Sequence, residues 1–272
     1  MTTGVYGGGF RNVDATATPA AFVNYLDQLM ALEDMRRYKR ESYALVGARP
    51  GARLLDLGCG AGDDARAIAR LVAPGGQVIG LDSSARMIDA ARERAARDSL
   101  PIEFVVGDLY QLAYPDASFD GVRADRVFQH LPDRPKALAE AIRVLRPGGT
   151  VVVSDPDWET LVLDLPDRTL IRKFAHFRCD GYYGGWTGRE LPRLFRDAGL
   201  TDIAAHPFTV VIDDFALADQ IYLLHGYAEK AHAAGALTAA ELATWQAHLA
   251  AAASAPTFFT AFTGFTVSGR KP

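Results

Sequence analysis

Between about residue 20 and residue 155, short apolar runs alternate with stretches of helical periodicity, and no other feature constrains the fold as tightly. "ARLLDLG", "QVIGLDSS", "IEFVVGDL", "FDGVRAD" and "TVVVSDPD" read as strands. The helices between them are marked at their ends. "DDARAIARLVAPGG" opens on two carboxylates and stops at Pro-Gly-Gly, "SARMIDAARERAARD" opens on a serine cap, and "RPKALAEAIRVLRPGG" precedes the fifth strand. Segment 20–47 sets Phe22, Leu26, Leu29, Tyr38 and Leu45 at helical spacing and ends at Gly47. Strands that are apolar along their whole length have no wet face, so the alternation predicts a parallel sheet covered by helices on both sides.

Beyond residue 156 the rhythm changes. Residues 158–188 are rich in aromatics (Trp158, Phe174, Phe177, Tyr182, Tyr183, Trp186), "TGRELPRLFRDAGL" is a capped helix, and 203–212 reads as a strand. Helical stretches over 215–234 and 238–253 precede a last strand in "TFFTAFTGFTVSGRK". Without an internal repeat or a clean linker, the chain reads as one α/β domain over 1–272. The expected architecture is a Rossmann-like, doubly wound, mostly parallel seven-stranded sheet with helical lid insertions. Residues 20–155 form the ligand-binding core, and 156–190 and 213–255 form a lid or cap. Residues 1–18, glycine-rich and aperiodic, are expected to join 158–188 in ordering over a ligand.

Composition narrows the partners. A net charge of −4 and a pI near 5.9 argue against non-specific binding to nucleic acid or an anionic membrane. The densest basic cluster, "RRYKR" at 36–40, reads as one face of a solvated helix. Cys59 and Cys179 make no disulfide framework, and His225 and His232 lack a third ligand, so no metal site is expected. "MTTGVYGGGF" holds no apolar signal core, and no run approaches the roughly twenty apolar residues of a membrane span. The expectation is a cytoplasmic globular protein, its oligomeric state open, a homodimer included.

"LLDLGCGAGDD" (54–64) is the first strand, its turn and the start of the next helix, where open α/β sheets bind ligands. Glycines at 58, 60 and 62 let a ligand lie against the backbone. Asp56, Asp82 and Asp108 recur every 26 residues, about one strand–helix unit, and are expected along one sheet edge. Asp56 is assigned to backbone bonds in the turn. An acid after the second strand suits ribose hydroxyls, and one after the third suits a polar handle on a base. Carboxylates beside the glycines would repel a pyrophosphate and tolerate a sulfonium and an ammonium group, so the ligand implied is a nucleoside with a cationic tail.

"LLDLGCGAG", "VIGLDSSARMIDAAR", "EFVVGDLYQLAYPDASFDGVRADRVFQHLPD" and "ALAEAIRVLRPGGTVVVSDPD" together resemble the successive motifs of class I S-adenosylmethionine-dependent methyltransferases, in particular the ubiquinone/menaquinone-biosynthesis-like group. The resemblance spans about residues 20–155 and implies S-adenosylmethionine as cofactor. It puts Gly58, Cys59, Gly60 and Gly62 under the methionine part, Asp82 on the ribose, and Ser83 and Met87 beside the adenine. Gly107, Asp108 and Leu109 fall at the adenine edge, Asp125 and Arg126 near the methionine, and Arg36 or Arg37 near its carboxylate. His130 in "FQHLPD" is the candidate general base. The implied acceptor is a small, aromatic or hydrophobic molecule methylated on O, N or C, with Trp158, Phe177, Tyr183 and Trp186 as candidate lining. Two alternatives stand beside it: a non-methylating cyclase or binding protein on the same fold, and a nicotinamide-dependent oxidoreductase. Asp63 breaks the strict G-x-G-x-x-G spacing from Gly58, though Gly60, Gly62 and Ala65 fit a relaxed form.

Overall fold

Four neighbouring pairings, all parallel, join β1 (Arg53–Leu57), β2 (Gln77–Asp82), β3 (Ile102–Val106), β4 (Phe119–Asp125) and β5 (Leu145–Leu163). β7 (Thr260–Arg270) inserts antiparallel between β5 and β6 (Thr201–Ile212). The sheet order is β3-β2-β1-β4-β5-β7-β6, the expected seven-stranded, mostly parallel sheet. The computed structural model describes residues 10, 12–16, 19–96, 98 and 100–272.

Both faces are covered, as the apolar strands require. Leu54, Val78, Phe104 and Val152 meet α2 (Glu33–Leu45), α3 (Asp63–Val72) and α4 (Ala85–Ala95) on one side. Leu55, Ile79, Val122 and Val151 meet α5 (Arg134–Val144) and α7 (Thr187–Asp197) on the other. The helix ends follow their local chemistry: Ser84 accepts the Met87 N–H, and Asp133 caps α5 by accepting the Lys136 N–H.

A third core lies over the carboxyl ends of the strands. It joins α1 (Pro19–Ala31), α6 (Arg168–Asp180), α8 (Phe215–Tyr222), α9 (Leu224–Ala233) and α10 (Ala239–Ser254) around Trp158, Phe174, Tyr222 and Trp245. Phe174 and Trp245 stack with centroids 4.3 Å apart.

Three local readings are corrected here. Segment 20–47 is two helices, parted at Leu32, whose extended backbone (φ −76°, ψ 128°) cannot continue a helix. Segment 215–234 is likewise broken at Leu223, which takes a left-handed conformation (φ 54°). β5 continues to Leu163 because β7 pairs with it up to there, so residues 156–163 belong to the sheet rather than to an insertion. The start of the proposed lid, residues 1–9, 11, 17 and 18, lies outside the described residues.

Candidate functional site

The strand order reverses at β1, whose neighbours are β2 and β4, and the crevice between the carboxyl ends of β1 and β4 is where such sheets bind ligands. A cavity of about 460 Å³ opens there.

Its floor is the joint between β1 and α3. Gly58, Gly60 and Gly62 all adopt left-handed backbone, with φ of 66°, 52° and 81°. Their roles differ. A Cβ on Gly62 would lie 2.7 Å from Phe104 and 2.9 Å from Ala91, so that glycine seats helix α3 and, unlike the other two, does not line the cavity. A Cβ on Gly58 would strike Val127 at 2.4 Å. At Gly60 it would meet Leu26 at 3.2 Å and stand in the cavity itself.

Asp82 ends β2 beside this joint. Its Oδ2 accepts the Gly60 N–H and its Oδ1 the Ser84 N–H, each at 2.9 Å. Burial pushes this carboxyl above its ordinary range, against the two backbone donors that hold it down. Each oxygen keeps lone-pair capacity toward the cavity. Ser83, Met87, Cys59, Gly107, Asp108 and Leu109 complete this part of the wall. Asp108 also accepts the Tyr110 N–H at 2.8 Å, which fixes the turn after β3. Burial, with Asp56 and Asp82 nearby, keeps the Cys59 thiol protonated, so it contributes surface and no nucleophile.

Asp56 departs from the expected row of acids. It lies in register with Arg123 of the adjacent strand, sealed from solvent, and accepts from the Arg123 guanidinium at 3.0 Å instead of from turn amides. Arg123 reaches Asp64 at 3.2 Å and Asp125 at 3.4 Å as well. Helix α2 locks onto this cluster. Lys39 bridges Asp64 and Asp125, Tyr43 donates to Asp64 at 2.6 Å, Tyr38 to Asp125 at 3.0 Å, and Arg123 donates to Ser42 at 2.8 Å. "RRYKR" is therefore not a uniformly solvated face, because Tyr38 and Lys39 are buried. Arg36, Arg37 and Arg40 are the solvated members, paired to Glu33 and Asp34 and away from the cavity, whereas Lys39 lines it.

Past β4, Arg126 takes left-handed backbone (φ 59°) and donates its own N–H to Ser154 at 2.7 Å. One guanidinium nitrogen donates to the Tyr25 hydroxyl at 2.8 Å, while the buried Nη1 has no hydrogen-bond partner among the described residues. The next turn, Phe128–His130, is pinned from below by Asp155, which accepts the Phe128 N–H at 3.0 Å. His130 thus faces the cavity between Phe10 and Tyr182, with ring centroids at 5.7 and 5.9 Å. The remaining wall comes from the cap: Arg178, Tyr182, Tyr183, Ile221 and Tyr227, facing Tyr25 and Met30 of α1.

A family model described as a methyltransferase domain matches residues 55–153. The chain is 30% identical over 199 residues to a demethylmenaquinone methyltransferase of Staphylococcus aureus, an overlap covering 68% of this chain and 82% of that one. The chain belongs to the class I S-adenosylmethionine-dependent methyltransferases of the quinone-biosynthesis-like group. An uncharacterized 37.1 kDa protein in transposon TN4556 of Streptomyces fradiae is 43% identical over 247 residues, covering 90% of this chain and 70% of that one. Among solved structures, the arsenic(III) S-adenosylmethionine methyltransferase CrArsM of Chlamydomonas reinhardtii matches with a TM-score of 0.51 and 25% identity, over 82% of this chain and 65% of that one.

In this methyltransferase, ten of the eleven proposed cofactor residues other than Gly62, together with His130, face one cavity: Gly58, Cys59, Gly60, Asp82, Ser83, Met87, Gly107, Asp108, Leu109 and Arg126. Of the four aromatics proposed as acceptor lining, Tyr183 does so. Trp158 is sealed behind Tyr182, and Trp186 lies half-exposed under Arg189. Phe177 packs against the cap core. Tyr25, Lys39, Arg178, Tyr182 and Tyr227 were not legible as cavity residues, since they are brought in by separate helices and, for Tyr182, by the loop after α6. Asp14, outside the cavity lining, was not legible either. It accepts from Ser84 Oγ at 2.5 Å and from the Ala85 N–H at 3.0 Å, tying the N-terminal segment to α4. Among the described residues no His/Cys/Asp/Glu group is arranged to hold a metal ion, and no helix is long and apolar enough to cross a membrane.

Proposed function

We propose that this methyltransferase acts on a small aromatic or hydrophobic acceptor, with the cofactor on the glycine joint and the acceptor under the cap. The carrying observation is that one cavity joins Gly58, Gly60, Asp82 and Asp108 at one part of its wall to Tyr25, His130, Tyr182 and Tyr227 at another. The residues present fit S-adenosylmethionine: the Gly60 Cα faces the cavity and Asp82 retains acceptor capacity for two hydroxyls. When bound, that group supplies a sulfonium methyl open to in-line displacement.

The roles follow from position. Asp82 holds the ribose, Ser83, Met87, Asp108 and Leu109 bracket the adenine, and Gly58, Cys59 and Gly60 lie under the methionine. Arg126 offers an unpaired N–H beside them. Methyl transfer of this kind needs alignment and a deprotonated nucleophile. Tyr25, Tyr182 and Tyr227 align a flat acceptor, and His130, fixed by the Asp155-anchored turn, takes its proton. The segments 164–190 and 213–255 act as the cap that excludes water. Relatives named demethylmenaquinone methyltransferases support an aromatic acceptor.

Calorimetry with S-adenosylhomocysteine and NADH tests the cofactor half, and transfer of label from methyl-labelled S-adenosylmethionine into small aromatic acceptors tests the other. Binding of NADH without S-adenosylhomocysteine, or cofactor turnover with label never entering an aromatic or apolar acceptor, would overturn the reading.

A further inference from the structure

Among the described residues two arginine side chains are sealed, Arg123 and Arg178, and the chain treats them differently. Arg123, 1% exposed, stands against three carboxylates, Asp56, Asp64 and Asp125, at 3.0 to 3.4 Å. Arg178, 2% exposed, has no carboxylate within 4.0 Å among the described residues, and it lines the cavity, which Arg123 does not. Its Nε and Nη2 reach Tyr222 O and Tyr182 Oη at 3.4 Å, the outer limit of a hydrogen bond, and its buried Nη1 has no hydrogen-bond partner among the described residues.

Aromatic faces surround it instead. The guanidinium carbon is 4.0 Å from the Trp158 ring centroid and between 5.3 and 5.7 Å from those of Tyr227, Tyr222 and Tyr182. Such faces stabilise the charge but accept no in-plane N–H, so Nη1 stays an unfilled donor beside an Nη2 held only by one long bond, in a low-dielectric site. A buried charge left without a counter-ion is costly to keep, and an anion arriving at the cavity would relieve that cost.

We propose that the methyl acceptor carries a carboxylate that docks on the Arg178 guanidinium, with its aromatic or apolar frame against Tyr182 and Tyr227. This rests on the reading of the cavity as cofactor site plus acceptor site. It narrows the acceptor from any small aromatic molecule to an aromatic acid. A carboxylate is favoured because a single planar fork matches two coplanar oxygens. The second guanidinium of the cavity, Arg126, donates to Tyr25 at 2.8 Å and stands, in the reading proposed above, beside the methionine part of the cofactor, which leaves Arg178 to the acceptor.

The test compares matched pairs by calorimetry on the intact protein saturated with S-adenosylhomocysteine: benzoate, 2-naphthoate and indole-3-acetate, each against its carboxamide. At least one acid is expected to bind about 10- to 100-fold more tightly than its amide. Arg178→Gln is expected to erase that preference while leaving S-adenosylhomocysteine affinity within about threefold, and Arg178→Lys to retain part of it. No acid preference in any pair overturns the proposal, as does a preference that survives in a folded Arg178→Gln protein. Loss of S-adenosylhomocysteine affinity in Arg178→Gln also overturns it, because Arg178 would then serve the cofactor. If Arg178→Gln does not fold, the wild-type pairs and Arg178→Lys decide. Failure of the wild-type protein to bind S-adenosylhomocysteine at all is a separate result that strikes the cofactor reading; the acid–amide comparison is then repeated without it.

Discussion

Asp82 Oδ2 accepts the backbone N–H of Gly60 at 2.9 Å, so the acid ending β2 holds the glycine turn that follows β1. One carboxylate thereby shapes the floor of the site while still facing the cavity. Asp82→Ala removes the proposed ribose acceptor and releases the Gly60 amide together. S-adenosylhomocysteine affinity is expected to fall by about 2–4 kcal/mol, roughly 30- to 1000-fold, with a small drop in melting temperature. Asp82→Asn, which keeps one oxygen for Gly60, is expected to lose less. Calorimetry on both variants checks this, and an unchanged dissociation constant in folded Asp82→Ala would show that the acid only builds the turn.

Gly62 and Gly60 are two residues apart and are expected to fail differently. Gly62→Ala forces a methyl into Phe104 and Ala91 at left-handed φ, which should cost about 1–3 kcal/mol of stability and little cofactor affinity once folded. Gly60→Ala carries the same left-handed strain but places its methyl in the cavity, so it should cost cofactor affinity in addition to stability. Denaturant melts beside titrations with S-adenosylhomocysteine separate the two, and identical profiles would refute the division.

His130 lines the cavity on a turn held by Asp155, a placement that suits proton removal from the acceptor. His130→Ala should lower turnover about 10²- to 10⁴-fold with cofactor affinity intact. Turnover within a few-fold of wild type would make His130 part of the wall, leaving deprotonation to water or another group.

Lys39 is the cation shared by Asp64 and Asp125. Lys39→Met leaves three buried carboxylates, Asp56, Asp64 and Asp125, to Arg123 alone as cation and should destabilise the protein by up to about 3–5 kcal/mol. A melting temperature within a degree or two of wild type would contradict the pairing.

Asp56 supplies a pH signature. Burial, which outweighs the attraction of Arg123, pushes its carboxyl up to about 6 from 3.8, while Arg123 and Lys39 draw Asp64 below its ordinary range. A carboxyl with a raised folded pKa contributes stability that is complete below its unfolded value and is lost as pH rises through about 6. Asp56→Asn stays neutral throughout. Relative to wild type, this variant should therefore gain stability as pH rises across that window, from about pH 4 to about pH 7. Melts at the two pH values measure this, and a relative change of the opposite sign would show that Asp56 is charged and favourably paired.

Local pattern was enough for the sheet, its five parallel strands, and nearly all of the cavity wall at the strand ends. Those residues lie within a few positions of strand ends, where period and glycine placement are local signals. Gly58, Gly60, Asp82, Asp108 and Arg126 reach one cavity because parallel strands bring every carboxyl end to the same edge. What local pattern could not carry was partner choice. Asp56 looks like Asp82 in sequence, yet a cross-strand register with Arg123 takes it inside. Lys39 and Arg36 share one helix, and only the packing of α2 on the sheet decides which is buried. The acceptor wall is the extreme case. Tyr25, Arg178 with the nearby Tyr182, and Tyr227 come from three parts of the chain distant in sequence, and burial of the cap's apolar surface sets them around one space.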